Sequence, residues 1–426
     1  MFLLRRRHNF LQVHLFDLLL SIGKSVDLIS PEYTSHHQQI AFLSYYIGKK
    51  LGLDEAACRK LITAGLMHDI GALNSSERLT LIEEEPVDVN SHAFRSARLL
   101  QEAAIFSDIC EIVRYHHLNW AHAKGRFFMG QKVPVESHIL HLADRVCVKF
   151  DPKSSTVEQV PRVFERIEVD SGTLFHPEAV EALKTMKKSD HIWLELMEDN
   201  PLNYLPIDKI FAGDYIDIDE LLEVTRMISL IIDFRSHFTA THSAGVAFVS
   251  SRLGELFGFS ETERKMMLIA GYLHDLGKLS VPNELLEKPA ALNQKEFNLI
   301  REHTFHTFRL LNVIKGMETI NKWASFHHEK LNGKGYPFQL KEDSIPLGSR
   351  IMAVADVFTS ITEDRPYRKG MSKMQIINVL KSMADDGSLC KIVVDKLVSN
   401  MNEFIGICHY SQQKASSLYE TIFDIA

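Results

Sequence analysis

Two adjacent imidazoles, His327 and His328, stand just before the glycine-punctuated turn Gly333-Lys334-Gly335-Tyr336-Pro337. Upstream the chain reads His274-Asp275-Leu276-Gly277-Lys278, and downstream Ala355-Asp356. With His242 and His303 these give seven candidate metal ligands: His242, His274, Asp275, His303, His327, His328 and Asp356. Neutral imidazole is the commonest metal-ligating side chain, and carboxylate suits harder cations. Seven such groups exceed one closed, four-coordinate site. They suit two divalent ions, each keeping positions open to water and substrate. Neighbours on a helix point about 100° apart. On a continuous helix His274 and Asp275 would therefore not both face one ion, and Asp275 is expected to bridge the pair. A water held between two such ions loses its proton near neutral pH and becomes a nucleophile.

Lys278 lies four residues after His274 and three after Asp275. If that helix continues, the three share a face, and the ammonium can meet a phosphate oxygen or developing negative charge. Asp275 and Lys278 are thus the candidate catalytic pair. Further on, Asp364-Arg365-Pro366-Tyr367-Arg368-Lys369 gathers three cations, and Lys330 and Lys334 add two more. Arginine forks hold phosphate bidentately.

The elements behind these residues read as helices. Apolar residues recur at helical spacing, as in Ile62-Gly65-Leu66-Ile70 and Leu268-Gly271-Tyr272-Leu276, and alternating strand patterns are scarce. The expected class is all-α. Comparing the chain with itself adds more. Residues 35–73 align without a gap to residues 241–279, so that His36 pairs with His242 and His68-Asp69 with His274-Asp275. Beyond them His92 pairs with His303, His116-His117 with His327-His328, and Asp144 with Asp356. Seven polar positions kept in register imply two tandem helical bundles related by an internal duplication. The first is expected over 1–200 and the second over 221–426. A linker is expected over 201–220, where Pro201 and Pro206 stand among short polar residues. Asp219-Glu220, ahead of an apolar run, suits a helix start.

The first copy keeps a second candidate metal set: His36, His68, Asp69, His92, His116, His117 and Asp144. Ala72 replaces Lys278, Leu118-Asn119-Trp120-Ala121-His122 follows the histidine pair, and nothing like Arg365-Pro366-Tyr367-Arg368 follows Asp144.

Composition excludes several classes. Of 426 residues 45% are hydrophobic and 24% charged, the balance of an ordinary globular protein. The net charge of −7 carries no basic face for duplex nucleic acid, so positive charge for an anionic substrate must be local. No apolar run is long enough to insert across a membrane. Arg5-Arg6-Arg7 precedes an apolar segment that His14 and Asp17 interrupt, which reads as an amphipathic helix rather than a targeting segment. Five scattered cysteines without a Cys-x-x-Cys pair suit reduced thiols and a cytoplasmic setting.

His274-Asp275-x-Gly-Lys, His327-His328-Glu329, Gly333-x-Gly335-Tyr336-Pro337 and Asp356 followed by Arg365-Pro366-Tyr367-Arg368 together resemble the HD-GYP family, within the HD superfamily of metal-dependent phosphohydrolases. The resemblance covers about 200 residues of the 426. It implies an all-helical bacterial signalling enzyme, a two-metal phosphodiesterase that linearises cyclic di-GMP or the mixed cyclic GMP–AMP ring. It implies one ion on His242, His274, Asp275 and Asp356. The other would sit on His303, His327 and His328, with Asp275 shared. Iron or manganese would be the metal. Substrate contacts would fall on Lys278, Gly335, Tyr336, Pro337, Arg365 and Arg368. Some members add a third ion through a glutamate four residues before the first histidine. Phe238 stands there, so two ions are expected. The first copy resembles a plain HD domain, able to bind metal and remove a 5′-phosphate, or to regulate or dimerise; a homodimer stays open. The alternatives are a nucleotidase-type phosphohydrolase and a non-catalytic nucleotide-responsive scaffold.

Overall fold

The computed structural model describes residues 11–29, 35–72, 90–235, 241–288, 290–363 and 369–423. Phe238, Arg365 and Arg368 lie outside these residues, as do the first ten residues of the chain. The chain forms two compact units, Leu18–Asp214 and Tyr215–Ala426, the latter including the described residues up to Asp17. One division falls inside the Leu15–Asp27 helix and the other at Asp214/Tyr215. The stretch expected to be a linker holds a 3₁₀ turn at Pro201–Tyr204, a short helix at Ile207–Ile210 and a two-residue strand at Tyr215–Ile216.

Both units are helical. The described strands are two residues long: Val13–His14 pairs antiparallel with Tyr215–Ile216, and Phe127–Phe128 with Gln131–Lys132. In the first unit the His36–Lys50 and Glu55–Met67 helices lie against Val135–Cys147, and Phe42, Phe106, Phe164 and Trp193 fill the core. Asp54 caps the second of these helices by accepting from the Ala57 amide.

In the second unit the corresponding helices are His242–Leu256 and Glu261–Leu273. Their lengths of 15 and 13 residues equal those of their counterparts in the first unit. A Cβ on Gly65 would lie 2.7 Å from the Ala41 nitrogen, and one on Gly271 2.8 Å from the Ala247 nitrogen. Both helix pairs cross at a glycine because no side chain fits there. Capping boxes start the Ile218–Phe234, Glu261–Leu273 and Gln294–Asn312 helices, at Asp217/Glu220, Ser260/Glu263 and Asn293/Glu296. The first begins two residues before the expected Asp219-Glu220 start. The Leu347–Thr362 helix carries fully buried Ile351, Val354, Ala355 and Phe358, and it delivers Asp356 to the unit's interior.

Candidate metal centre

The Glu261–Leu273 helix stops one residue before His274, and Asp275 opens a 3₁₀ turn over Leu276–Ser280. The continuous helix assumed from the sequence is therefore absent, and the angular argument against His274 and Asp275 meeting at one point falls with it. His274 Nε2 lies 3.2 Å from Asp275 Oδ2. Gly277 permits the turn, since a Cβ there would strike the backbone carbonyl of His303. Its amide donates to Thr307 Oγ1 at 2.9 Å.

Three overlapping ligand groups result: His242–His274–Asp356, His274–Asp275–His327 and His303–His327–His328, the atoms of each within 4.8 Å of one another. All but the partly exposed His328 are buried. Asp275 Oδ1 lies 3.4 Å from His303 Nε2 and 3.9 Å from His327 Nε2, while Oδ2 faces His274. One carboxylate thus faces both halves of the cage.

The protons on these rings follow from their backbone contacts. Nδ1 of His274, His303 and His327 lies 2.8, 2.6 and 2.6 Å from the carbonyls of Gly271, Ile300 and Ala324. A carbonyl only accepts, so Nδ1 carries the hydrogen and the Nε2 lone pair points inward, the orientation a ligating histidine needs. His274 Nε2 and Asp275 Oδ1 are buried without a hydrogen-bond partner. Orphaned inward lone pairs are the state that a cation satisfies, and the donor set fits first-row divalent ions.

For His303, His327 and Asp275 the electrostatics agree. Burial lowers His303 to about 3, and burial with the facing His328 holds His327 well below its usual range. Both are neutral near pH 7, the form that ligates. Burial alone would raise Asp275, but His274 and Lys278 outweigh it and keep the group ionised. The Lys278 ammonium sits 2.5 Å from Asp275 Oδ2.

The Gly-Tyr-Pro loop closes over this cage. Glu329, buried beside the histidine pair, accepts from the amides of Phe338 at 2.6 Å and Leu340 at 2.9 Å. Gly335 is buried, and a Cβ there would lie 2.5 Å from Glu329 Cα, so its role is close approach. The Tyr336 ring lies 4.9 Å from that of His328, and Pro337 follows it through a cis peptide bond.

The first unit forms the matching groups Asp69–His92–His116–His117 and His36–His68–Asp69. His68 and His116 direct Nδ1 to the carbonyls of Gly65 and Val113 at 2.9 and 2.6 Å. Asp144 borders the second of these groups. Its Oδ1 is 3.5 Å from His36 Nε2, but its Oδ2 accepts from Arg145 at 2.6 and 3.0 Å.

Several residues escaped the sequence reading. Glu363 stands 3.4 Å from His242 Nδ1. Asp233 accepts from the Ser243 amide and hydroxyl, and Asp27 meets His37 at 2.6 Å. His141 packs 5.7 Å from the His117 ring. Asp27 and Asp233 also fall in the register of the duplication, a signal present in the sequence but unused.

HD domain family models match residues 33–148 and 226–389. The chain carries two HD domains. Over 403 residues, 92% of this chain and 93% of the relative, it is 28% identical to 3′3′-cGAMP-specific phosphodiesterase 1 of Vibrio cholerae. It is 30% identical over 213 residues to a cyclic di-GMP phosphodiesterase of Thermotoga maritima, covering 50% of this chain and 54% of that one. The crystal structure of a cyclic GMP-AMP-specific phosphodiesterase from V. cholerae shares the fold. Its TM-score is 0.64 at 20% identity, over 92% of this chain and 98% of the other. No helix among the described residues is long and apolar enough to cross a membrane.

Proposed function

We propose that the second HD domain is a two-metal phosphodiesterase that opens a cyclic dinucleotide to its linear form, in a bacterial signalling role. The observation that carries this reading is one buried carboxylate, Asp275, facing two groups of inward imidazole lone pairs. His242, His274, Asp275 and Asp356 would hold one divalent ion, and His303, His327, His328 and the shared Asp275 the other. Iron or manganese suits such a set. Bound ions would supply Lewis-acid polarisation of the phosphate and a water of lowered pKa.

The protein's own groups do the rest. Lys278 places its ammonium beside Asp275, where a phosphate oxygen gaining charge in the transition state would be stabilised. Tyr336 walls the mouth on the His328 side. Hydrolysis consumes one water for the one P–O bond broken, leaving one terminal phosphate and one free hydroxyl. The name of the relative aligned along nearly the full chain favours the mixed GMP–AMP ring, and the shorter alignment to a cyclic di-GMP enzyme keeps that ring in the comparison. For the first HD domain we infer metal binding through Asp69, His92, His116 and His117, supported by their burial and mutual approach.

The test is turnover by the anaerobically purified, metal-loaded full chain. The two rings and a panel of nucleoside monophosphates are supplied separately and the products separated by chromatography. A linear dinucleotide as the first product supports the reading. Release of inorganic phosphate from the monoesters, with both rings left intact, would replace it with a nucleotidase-type activity.

A further inference from the structure

We propose that Arg301 and Phe297, with Tyr336, form a second subsite for the same substrate outside the metal cage. There the guanidinium grips the phosphate that is not cleaved and the Phe297 ring stacks on the adjoining base. The proposal rests on the cyclic-dinucleotide reading above.

An unbroken series of rings leads outward from the cage. His303 and His328 lie 5.3 Å apart, and His328 and Tyr336 4.9 Å apart. The Arg301 guanidinium lies 4.8 Å over Tyr336 and 5.8 Å over Phe297. The Tyr336 ring lies against both that cation and His328, a candidate metal ligand. Arg301 and Phe297 are one turn apart on the Gln294–Asn312 helix, the helix that also supplies His303. One rigid element thus sets the spacing between cage and subsite.

The guanidinium is short of partners. Its Nε is buried with no hydrogen-bond partner, and among the described residues no carboxylate lies within ion-pair distance of it. Leaving a buried N–H of a cation unpaired is costly, and an anion beside Arg301, itself only partly buried, would relieve that cost. Stacking on Tyr336 uses the face of the guanidinium and leaves its N–H edge, the geometry that meets phosphate bidentately. Phe297 is 40% exposed, and an exposed aromatic face accepts any nucleobase. A ring with two phosphates would place one at the metals and the other one aromatic width away.

The first copy lacks this equipment. In the register that pairs His92 with His303, Asn90 stands for Arg301 and Pro86 for Phe297. Arg301 and Phe297 therefore belong to what distinguishes the second domain, together with Lys278 and the Gly-Tyr-Pro loop.

Steady-state kinetics on the metal-loaded full chain test the proposal, using Arg301→Met, which keeps the packing on Tyr336, and Phe297→Ala. Substrates are the cyclic dinucleotide that wild type cleaves and bis(p-nitrophenyl) phosphate, a diester with a single phosphate. For Arg301→Met, KM for the ring is expected to rise about 10- to 100-fold, the range a hydrogen bond to a charged group commands. kcat and metal content should stay near wild type, and the simple diester should be cleaved as before. Phe297→Ala should raise KM for the ring alone. An unchanged KM for the ring overturns the subsite while leaving the proposed activity standing. Equal losses on both substrates also overturn it, because Arg301 would then act through the loop or the metals. A wild-type chain that cleaves the simple diester but neither ring overturns the activity and the subsite together.

Discussion

The Glu363 carboxylate lies 3.4 Å from Nδ1 of His242, and Asp356 Oδ1 lies 3.1 Å from Nε2 of the same ring. His242 is thus held between a carboxylate behind it and the cage in front. Three of the other cage histidines, His274, His303 and His327, are backed by carbonyls one helical turn earlier. His242 begins its helix, so its own helix offers no such carbonyl, and an acid from beyond the end of the Leu347–Thr362 helix takes the place. A carboxylate behind a ligating imidazole fixes its orientation and raises its basicity.

Glu363→Gln should therefore weaken metal binding without removing a ligand. Loss of such a backing group costs about 10- to 100-fold in metal affinity. Competition against a chelator of known affinity measures it, with circular dichroism as a control for folding. An unchanged affinity would show that Glu363 only packs beside the ring.

The same pair predicts a pH dependence for the metal-free chain. Burial by itself would lower His242, but Glu363 and Asp356 outweigh it and lift the group to about 10. The folded value exceeds the usual 6.5, so the folded state binds the extra proton. Its stabilisation is complete below pH 6.5 and is lost as pH rises through about 10. The melting temperature of the chelator-treated chain should fall between pH 7 and 10. Glu363→Gln should flatten that fall; an equally steep decline in the variant would refute the assignment.

Asp275→Ala removes the carboxylate that faces His274 on one side and His303 and His327 on the other. Metal content, read by elemental analysis, should drop in the second domain while the groups around Asp69 keep theirs. Turnover of the ring should fall by about 10³-fold or more, since bound ions contribute several kcal/mol of transition-state stabilisation. Asp69→Ala should leave ring turnover near wild type, because Asp69 belongs to the first domain's own ligand groups. Persistent turnover in Asp275→Ala would defeat the two-metal reading.

How far the sequence carried these conclusions depended on what each residue needs. The ligands were legible because the copies keep them in register: an alignment of His36 with His242 and Asp69 with Asp275 requires no three-dimensional information. The all-α class was legible from helical periodicity, down to the glycines where Ala41 and Ala247 press close. The helix end at Leu273 was not. His274 and Asp275 carry no breaker, and the stop follows from Gly277 packing on His303, a tertiary contact. Glu363 and Arg301 were also missed. Arg301 has no equivalent in the first copy, where Asn90 stands, and each acts through a residue distant in sequence, His242 and Tyr336. Asp144 was expected among the first copy's ligands, and the buried Arg145 that holds its Oδ2 could not be read from the motif.

Lys278 offers the last discrimination. Its ammonium touches the carboxylate that both halves of the cage face, so it could serve the ligand or the reaction. A group that serves the ligand lowers metal content when removed; one that meets charge forming on phosphate lowers kcat alone. The first copy favours the second role. It keeps Asp69 with three imidazoles around it, yet has Ala72 in place of Lys278, so the imidazoles assemble around the acid without an ammonium. Lys278→Met should then retain its metal while kcat for the ring falls about 10²- to 10³-fold, the range seen when one preorganised donor to a developing oxyanion is lost. Elemental analysis and single-turnover kinetics on one preparation give both numbers. A variant stripped of metal, or one with unchanged kcat, would assign Lys278 to the cage and leave the transition-state charge to other groups.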